Sequence, residues 1–136
     1  MIEFDKLIEV TLARNPFCQL LEMELLKAEE GYAYGRMPVR DSLMNMYGSV
    51  HGGASYALAD TMGGIAATTY GNYVLTVEGK MNYLLQIKDT DFLYCEAKAV
   101  RQGRTIGVYQ ITFTDDAGKV VASADFTYFR LKEKVE

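Results

Sequence analysis

The sequence predicts an α+β domain in which one long central helix is wrapped by an antiparallel β-sheet, with a short helix at the N-terminus. Three observations predict it. Between Asp41 and Glu78 the only formally charged side chain is Asp60, and residues 52–67 are otherwise Gly, Ala, Ser, Thr, Tyr, Leu, Met and Ile. A helix apolar on every side must be buried on every side, and its small residues let surrounding backbone come close. After it come four runs rich in β-branched and aromatic residues, separated by turn signals. The length of 136 residues suits one domain spanning 1–136.

Along the chain, Ile2, Leu7, Ile8 and Leu12 lie among charged residues and predict an amphipathic helix over 2–14, stopped by Asn15-Pro16. A helical turn is expected around 17–21. Residues 23–39 alternate imperfectly and predict two short strands meeting near Glu30-Gly31. A polar loop over 40–47 leads to the central helix, for which Gly71 is the C-terminal stop. Strands are then expected over 74–87, 92–100, 105–114 and 120–131, divided at Lys88-Asp89, Gln102-Gly103 and 115–118.

Composition narrows the function. Hydrophobic residues make up 49% of the chain, enough for a core, and the formal charge of −4 argues against a cationic surface for nucleic acid or anionic lipid. Neither nucleic acid nor membrane is an expected partner; the central segment is too Gly-rich, and carries a carboxylate at its middle, to read as a membrane span. The N-terminus MIEFDKLIEV has no signal-peptide pattern, so a cytoplasmic setting is expected, with Cys18 and Cys95 as free thiols. One histidine leaves no zinc-spaced cluster, and no metal site is expected.

Asp60 is the residue that most needs explaining. A lone carboxylate in an apolar helix is costly unless it is paired, hydrogen-bonded or facing a wet cleft. It either caps a neighbouring group or takes part in catalysis. His51 precedes Gly52-Gly53 at the helix start, where unpaired N–H groups and the helix dipole can hold a carbonyl oxygen or an anion. Read alone, such a histidine is more often a structural one, and Gly-Gly is a common turn. The two sites are nine residues apart, which at about 100° and 1.5 Å per residue puts them half a turn out of phase and roughly 13 Å apart. His51 and Asp60 of one chain therefore cannot grip the same small group. If both are catalytic, the site combines the helix start of one subunit with Asp60 of another. Ser55 in Gly-Ala-Ser-Tyr-Ala is near a nucleophile-elbow pattern, but the sole histidine precedes it, against the chain order of that fold.

Asn45, Gly48, His51-Gly52-Gly53 and Leu58-Ala59-Asp60, in this register, resemble the signature of hotdog-fold acyl-CoA thioesterases of the PaaI-like, phenylacetate-pathway type. Asn15-Pro16-Phe17, Thr76-Val77-Glu78 leading to Met81-Asn82-Tyr83, and Arg101-Gln-Gly-Arg104 extend the similarity over nearly the whole chain. The resemblance implies that the Gly53 N–H polarises the thioester carbonyl, with Gly52 beside it, and that Asp60 activates water or attacks directly. It further implies that Asn45 and His51 shape the carbonyl end of the site, His51 by orienting. The position of Glu78 faces the reaction centre in some relatives, which carry a small hydroxyl residue there that helps hold the water. Its glutamate is a departure, and a structural strand role is the other reading. Glu22 stands where members often have glycine. Asn82 is expected on the substrate side.

The phosphates of coenzyme A call for cations, which Arg101 and Arg104 would supply unless they merely solvate a hairpin. The implied protein is a hydrolase of acyl-CoA or aryl-acyl-CoA thioesters that needs no cofactor, CoA being part of the substrate. The implied assembly is a homodimer with shared active sites, built into a dimer of dimers. A non-catalytic hotdog module that binds acyl-CoA or an acyl carrier is the alternative. A hotdog dehydratase fits less well, since no second histidine is present.

Overall fold

The computed structural model describes residues 1–136, and it has the hotdog architecture: a six-stranded antiparallel sheet packed on one long helix. The chain opens with α1 (Phe4–Ile8), which runs on as a π-helical turn over Glu9–Ala13 instead of one continuous helix. Inside this segment the Thr11 hydroxyl donates to the Leu7 carbonyl at 2.6 Å. Asn15 ends the segment and caps α2 (Pro16–Leu20), its side-chain oxygen accepting from the Cys18 N–H at 3.3 Å. Proline at the first position of α2 suits a site where no N–H is needed.

Strands β1 (Glu24–Glu29) and β2 (Tyr32–Pro38) form the predicted hairpin. Just before them Glu22 takes φ 54, a left-handed conformation that glycine adopts at less cost. Arg40 braces the bend, donating from Nη2 to the Leu20 carbonyl at 3.0 Å and lying 3.5 Å from the Glu22 carboxylate.

The central helix α3 spans Gly52–Thr68, and Gly71, at φ 109, turns the chain out of it. The remaining strands are β3 (Asn72–Tyr83), β4 (Phe92–Gln102), β5 (Ile106–Thr114) and β6 (Val120–Lys134). Their order in the sheet is β1-β2-β4-β5-β6-β3, which leaves β3 at an edge. β3 stops four residues short of the expected Ile87. The Leu84 and Leu85 N–H groups both turn to the Val121 carbonyl at 3.1 Å, and Ile87 is buried, its carbonyl accepting from the Val50 N–H at 2.8 Å.

Leu58, Met62 and Ile65 of α3 meet Ala97, Tyr109, Ile111, Phe113, Phe126 and Tyr128 of the sheet in one cluster of 28 buried residues. The all-round burial expected of α3 is met on the sheet side only. Tyr56 is exposed, and Asp60, Thr61 and Gly64 are half-buried. No helix is long and apolar enough to cross a membrane.

Candidate active site

The two ends of the site are built separately. At the start of α3, His51 is the N-cap, and its Nδ1 accepts the Gly53 N–H at 2.8 Å. The donor expected to meet a thioester carbonyl is therefore held by the neighbouring ring in this structure. His51 and Gly53 line a pocket of about 250 Å³ with Phe17, Leu21, Leu43 and Ala54. Asn45 organises the loop before them: its Oδ1 accepts the N–H groups of Tyr47 (2.9 Å) and Ser49 (3.2 Å), and its Nδ2 donates to the Ser49 hydroxyl at 3.1 Å. Gly52 lies on the other side of the helix start, in a cavity of about 360 Å³ shared with Asn45, Ser49, Tyr83 and Leu85. The Tyr83 hydroxyl donates to the Gly52 carbonyl at 2.8 Å.

Asp60 sits two turns further along. Its Oδ1 accepts from the Thr76 hydroxyl at 2.6 Å, while Oδ2 has no hydrogen bond within the protein. The carboxylate faces a pocket of about 230 Å³ lined by Val10, Thr11, Asn15, Thr61, Thr76 and Tyr128. The backbone of Asp60 is fixed as well: the Tyr128 hydroxyl donates to its carbonyl at 2.8 Å. Burial pushes the Tyr128 phenol well above its ordinary pKa, so it stays a donor. The tyrosine reaches Asp60 because residue 63 is glycine; a Cβ there would collide with the Tyr128 hydroxyl. Cys18 is close by, its Sγ 3.5 Å from the Thr61 hydroxyl, and burial raises its pKa and that of Cys95. Both cysteines are free thiols, as the sequence suggested.

The structure gathers the expected residues only in part. No pocket contains both His51 and Asp60, in line with their helical separation. Glu78 and Asn82 do not face α3. The buried residues of β6 (Ala122, Ala124, Phe126, Tyr128) pair with Tyr83, Met81, Gly79 and Thr76, whereas Asn82 pairs with Ser123 and Glu78 with Thr127 on the outer face. A bulge between Thr76 and Glu78 accounts for this. The hydroxyl beside the Asp60 carboxylate is that of Thr76, and Glu78 points away from it. Arg101 and Arg104 also part company. Arg104 lines a cleft of about 740 Å³, whereas Arg101 folds back over its own turn at Gly103. Sequence reasoning missed Thr76 and Tyr83 as site residues.

Comparison with known proteins agrees with this architecture. The sequence profile of the thioesterase superfamily matches residues 47–122, more than half of the chain. The chain is 29% identical over 109 residues to the acyl-coenzyme A thioesterase PaaI of Escherichia coli K12, covering 79% of this chain and 78% of that one. The solved structure of E. coli PaaI superposes with a TM-score of 0.90 at 24% identity, covering 97% of this chain and 98% of the other, which is a likeness of fold. A Streptococcus mutans UA159 protein solved bound to acetyl CoA is 30% identical, with a TM-score of 0.78 over 82% of this chain and 90% of that chain. Fold and profile agree: the chain belongs to the thioesterase superfamily, as a hotdog-fold thioester hydrolase similar to PaaI.

Proposed function

We propose that this thioesterase hydrolyses acyl-CoA or aryl-acyl-CoA thioesters to the free acid and CoA, with Asp60 as general base or nucleophile. The observation that carries the assignment is the state of the Asp60 carboxylate. One oxygen is held by Thr76 at 2.6 Å, and the other is free toward a pocket. A carboxylate merely capping a neighbour would need no open pocket on its unbonded side. As a base, Asp60 takes a proton from water as the water oxygen bonds to the thioester carbon. The tetrahedral intermediate then collapses, the C–S bond breaks, and the thiolate leaves and is protonated. As a nucleophile, Asp60 attacks the thioester carbon and expels the CoA thiolate, which is protonated, and water then opens the resulting anhydride to the free acid and the Asp60 carboxylate. In either route the carbonyl oxygen gains charge and needs a donor. The Gly53 N–H supplies it by exchanging the His51 Nδ1 for the substrate oxygen, so that His51 aims the N–H until the substrate arrives. CoA enters as part of the substrate, and this chemistry calls for no cofactor.

The site is completed by a second copy of the chain. β3 is an edge strand with an open backbone ladder, and Leu75 and Val77 on it are more than half exposed. Such an edge invites pairing. β3 also touches both half-sites: Thr76 holds Asp60, and Tyr83 holds the Gly52 carbonyl. Two β3 strands paired antiparallel about a two-fold axis near Gly79-Lys80 lay the Thr76 end of one beside the Tyr83 end of the other. Each Asp60 then faces a partner's helix start, and the dimer holds two equivalent sites. A dimer of dimers is the expected full assembly. The free state of both buried cysteines fits a reducing, cytoplasmic setting.

A panel of acyl-CoA thioesters, assayed for release of free thiol alongside an acyl-carrier-protein thioester, tests the reading. Turnover on at least one CoA thioester is expected. Tight binding without thiol release on any of them would make the protein a binding module instead.

A further inference from the structure

One peptide unit joins Gly52 to Gly53, and side chains hold it from both edges. Its N–H is the Gly53 donor, which His51 Nδ1 accepts at 2.8 Å. Its C=O is the Gly52 carbonyl, to which the Tyr83 hydroxyl donates at 2.8 Å. Because a peptide is a single plane, a bond to the C=O also sets where the N–H points.

This plane needs an anchor more than most. Glycine stands on both sides of it, so no Cβ restricts the dihedrals that turn it. It also lies in the first turn of α3, where N–H groups have no intrahelical acceptor. The two anchors differ in what the reaction does to them. When a substrate oxygen takes the Gly53 N–H, the His51 contact is given up. The Tyr83 contact lies on the opposite edge of the peptide, and nothing in that exchange breaks it.

Tyr83 is built for the contact. It is the last residue of β3, opposite the buried Ala122 of β6, and the chain leaves the sheet just after it, where the Leu84 and Leu85 N–H groups turn to the Val121 carbonyl. Its ring reaches the helix because residue 52 is glycine: a Cβ there would lie 3.1 Å from both Cζ and the hydroxyl oxygen, and the ring would have to give way. Partial burial, with the Tyr56 phenol nearby, raises the pKa of Tyr83, so the hydroxyl keeps its proton and stays a donor. Tyr83 is 53% exposed and lies outside the hydrophobic core, so packing of the core does not account for it.

We propose that Tyr83 is a positioning residue for thioester hydrolysis, acting on the carbonyl-binding N–H of Gly53 through the other edge of the same peptide. Its hydrogen bond keeps the plane from rotating once His51 has yielded. It also draws electron density toward the Gly52 oxygen, which leaves the N–H more positive and a stronger donor. Both effects count most when the substrate oxygen carries the charge of the tetrahedral intermediate, so they act on kcat more than on KM. The assignment rests on the hydrolase reading, since it names the group that aims the carbonyl donor of that reaction. Strand β3 then serves the chemistry twice: its Thr76 orients the carboxylate, and its Tyr83 orients the donor.

The test is Tyr83→Phe, which keeps the ring and removes the hydroxyl alone. In protein whose glycines are labelled with carbon-13 and nitrogen-15, an NMR correlation between a carbonyl carbon and the next amide reports only peptides between successive glycines, which are Gly52-Gly53 and Gly63-Gly64. In the ligand-free variant the Gly52 carbonyl and Gly53 amide resonances should move upfield, and the Gly63-Gly64 signal should stay. On a thioester substrate kcat should fall roughly three- to tenfold, the worth of one neutral hydrogen bond, while KM stays within about twofold and the melting temperature is little changed.

An unmoved Gly52-Gly53 signal would overturn the proposal. So would wild-type kcat in the variant, or a loss confined to KM or to the melting temperature, either of which would make Tyr83 a packing residue. If the signal moves as expected while neither protein hydrolyses any CoA thioester, the anchoring of the peptide stands and the hydrolase reading falls.

Discussion

The Thr76 hydroxyl donates to Asp60 Oδ1 at 2.6 Å, joining the edge strand to the middle of the central helix through one hydrogen bond. The bond fixes the rotation of the carboxylate and leaves Oδ2 to face the pocket. A β-bulge immediately after Thr76 lets the next residues swing outward, so the hydroxyl alone is directed at the helix.

Replacing Asp60 by Asn keeps the shape and removes both basicity and nucleophilicity. Turnover should drop by about 10²–10⁴-fold, the usual contribution of a general base, with the fold and the oligomer unchanged by circular dichroism and light scattering. Turnover near that of wild type would rule out the catalytic role.

Thr76→Val preserves size and removes the donor. The Asp60 carboxylate then loses its orientation, and kcat should fall on the order of tenfold with a smaller change in KM, as expected for one hydrogen bond to a charged group. Thr76→Ser should restore most of the rate. Equal rates in the valine and serine variants would show that the hydroxyl does not matter.

How far the sequence disclosed this arrangement depends on the range of the interactions. α3 was legible because its signal is local: an apolar run with one carboxylate, entered through His51-Gly52-Gly53 and left at Gly71. The four C-terminal strands were legible for the same reason, except that β3 ends at Tyr83, because Leu84 and Leu85 turn to Val121, a partner distant in sequence. Thr76 was missed because a bulge decides which strand residue faces the helix, and a bulge is set by pairing with β6. The family resemblance pointed to Glu78 instead.

Two adjacent glycines give a stability test in which the sign reverses. Helix propensity alone says that Gly→Ala anywhere inside α3 stabilises by up to about 1 kcal/mol. At Gly64 the added methyl meets only a Tyr128 ring carbon at 3.7 Å, ordinary contact, so Gly64→Ala should raise the melting temperature. At Gly63 it meets the Tyr128 hydroxyl and the Ile111 side chain at 3.0 Å, and Tyr128 is anchored to the Asp60 carbonyl. Overpacking of roughly 1–3 kcal/mol then outweighs propensity, and Gly63→Ala should unfold at lower temperature. Thermal unfolding of the two variants side by side decides it.

Cys18 and Cys95 are buried, and burial raises the pKa of each thiol, so less thiolate is present at a given pH than in an open peptide. In the native protein at pH 8 both should resist a thiol reagent that labels them promptly in denaturant. Fast labelling of either in the native state would show that its burial is not maintained in solution.

The account turns on a site shared between chains, and one measurement tests that directly. An Asp60→Asn chain is mixed with a His51→Ala chain, subunits are allowed to exchange, and hybrid dimers are counted by native mass spectrometry before thiol release is assayed. In a hybrid, the intact helix start of the first chain faces the intact Asp60 of the second, so one native site is rebuilt while the other carries both lesions. Activity should rise from the low level of either parent toward half of the native value per hybrid dimer. Confirmed hybrids that stay at the level of their parents would mean that each site lies within one chain, and would contradict the shared site.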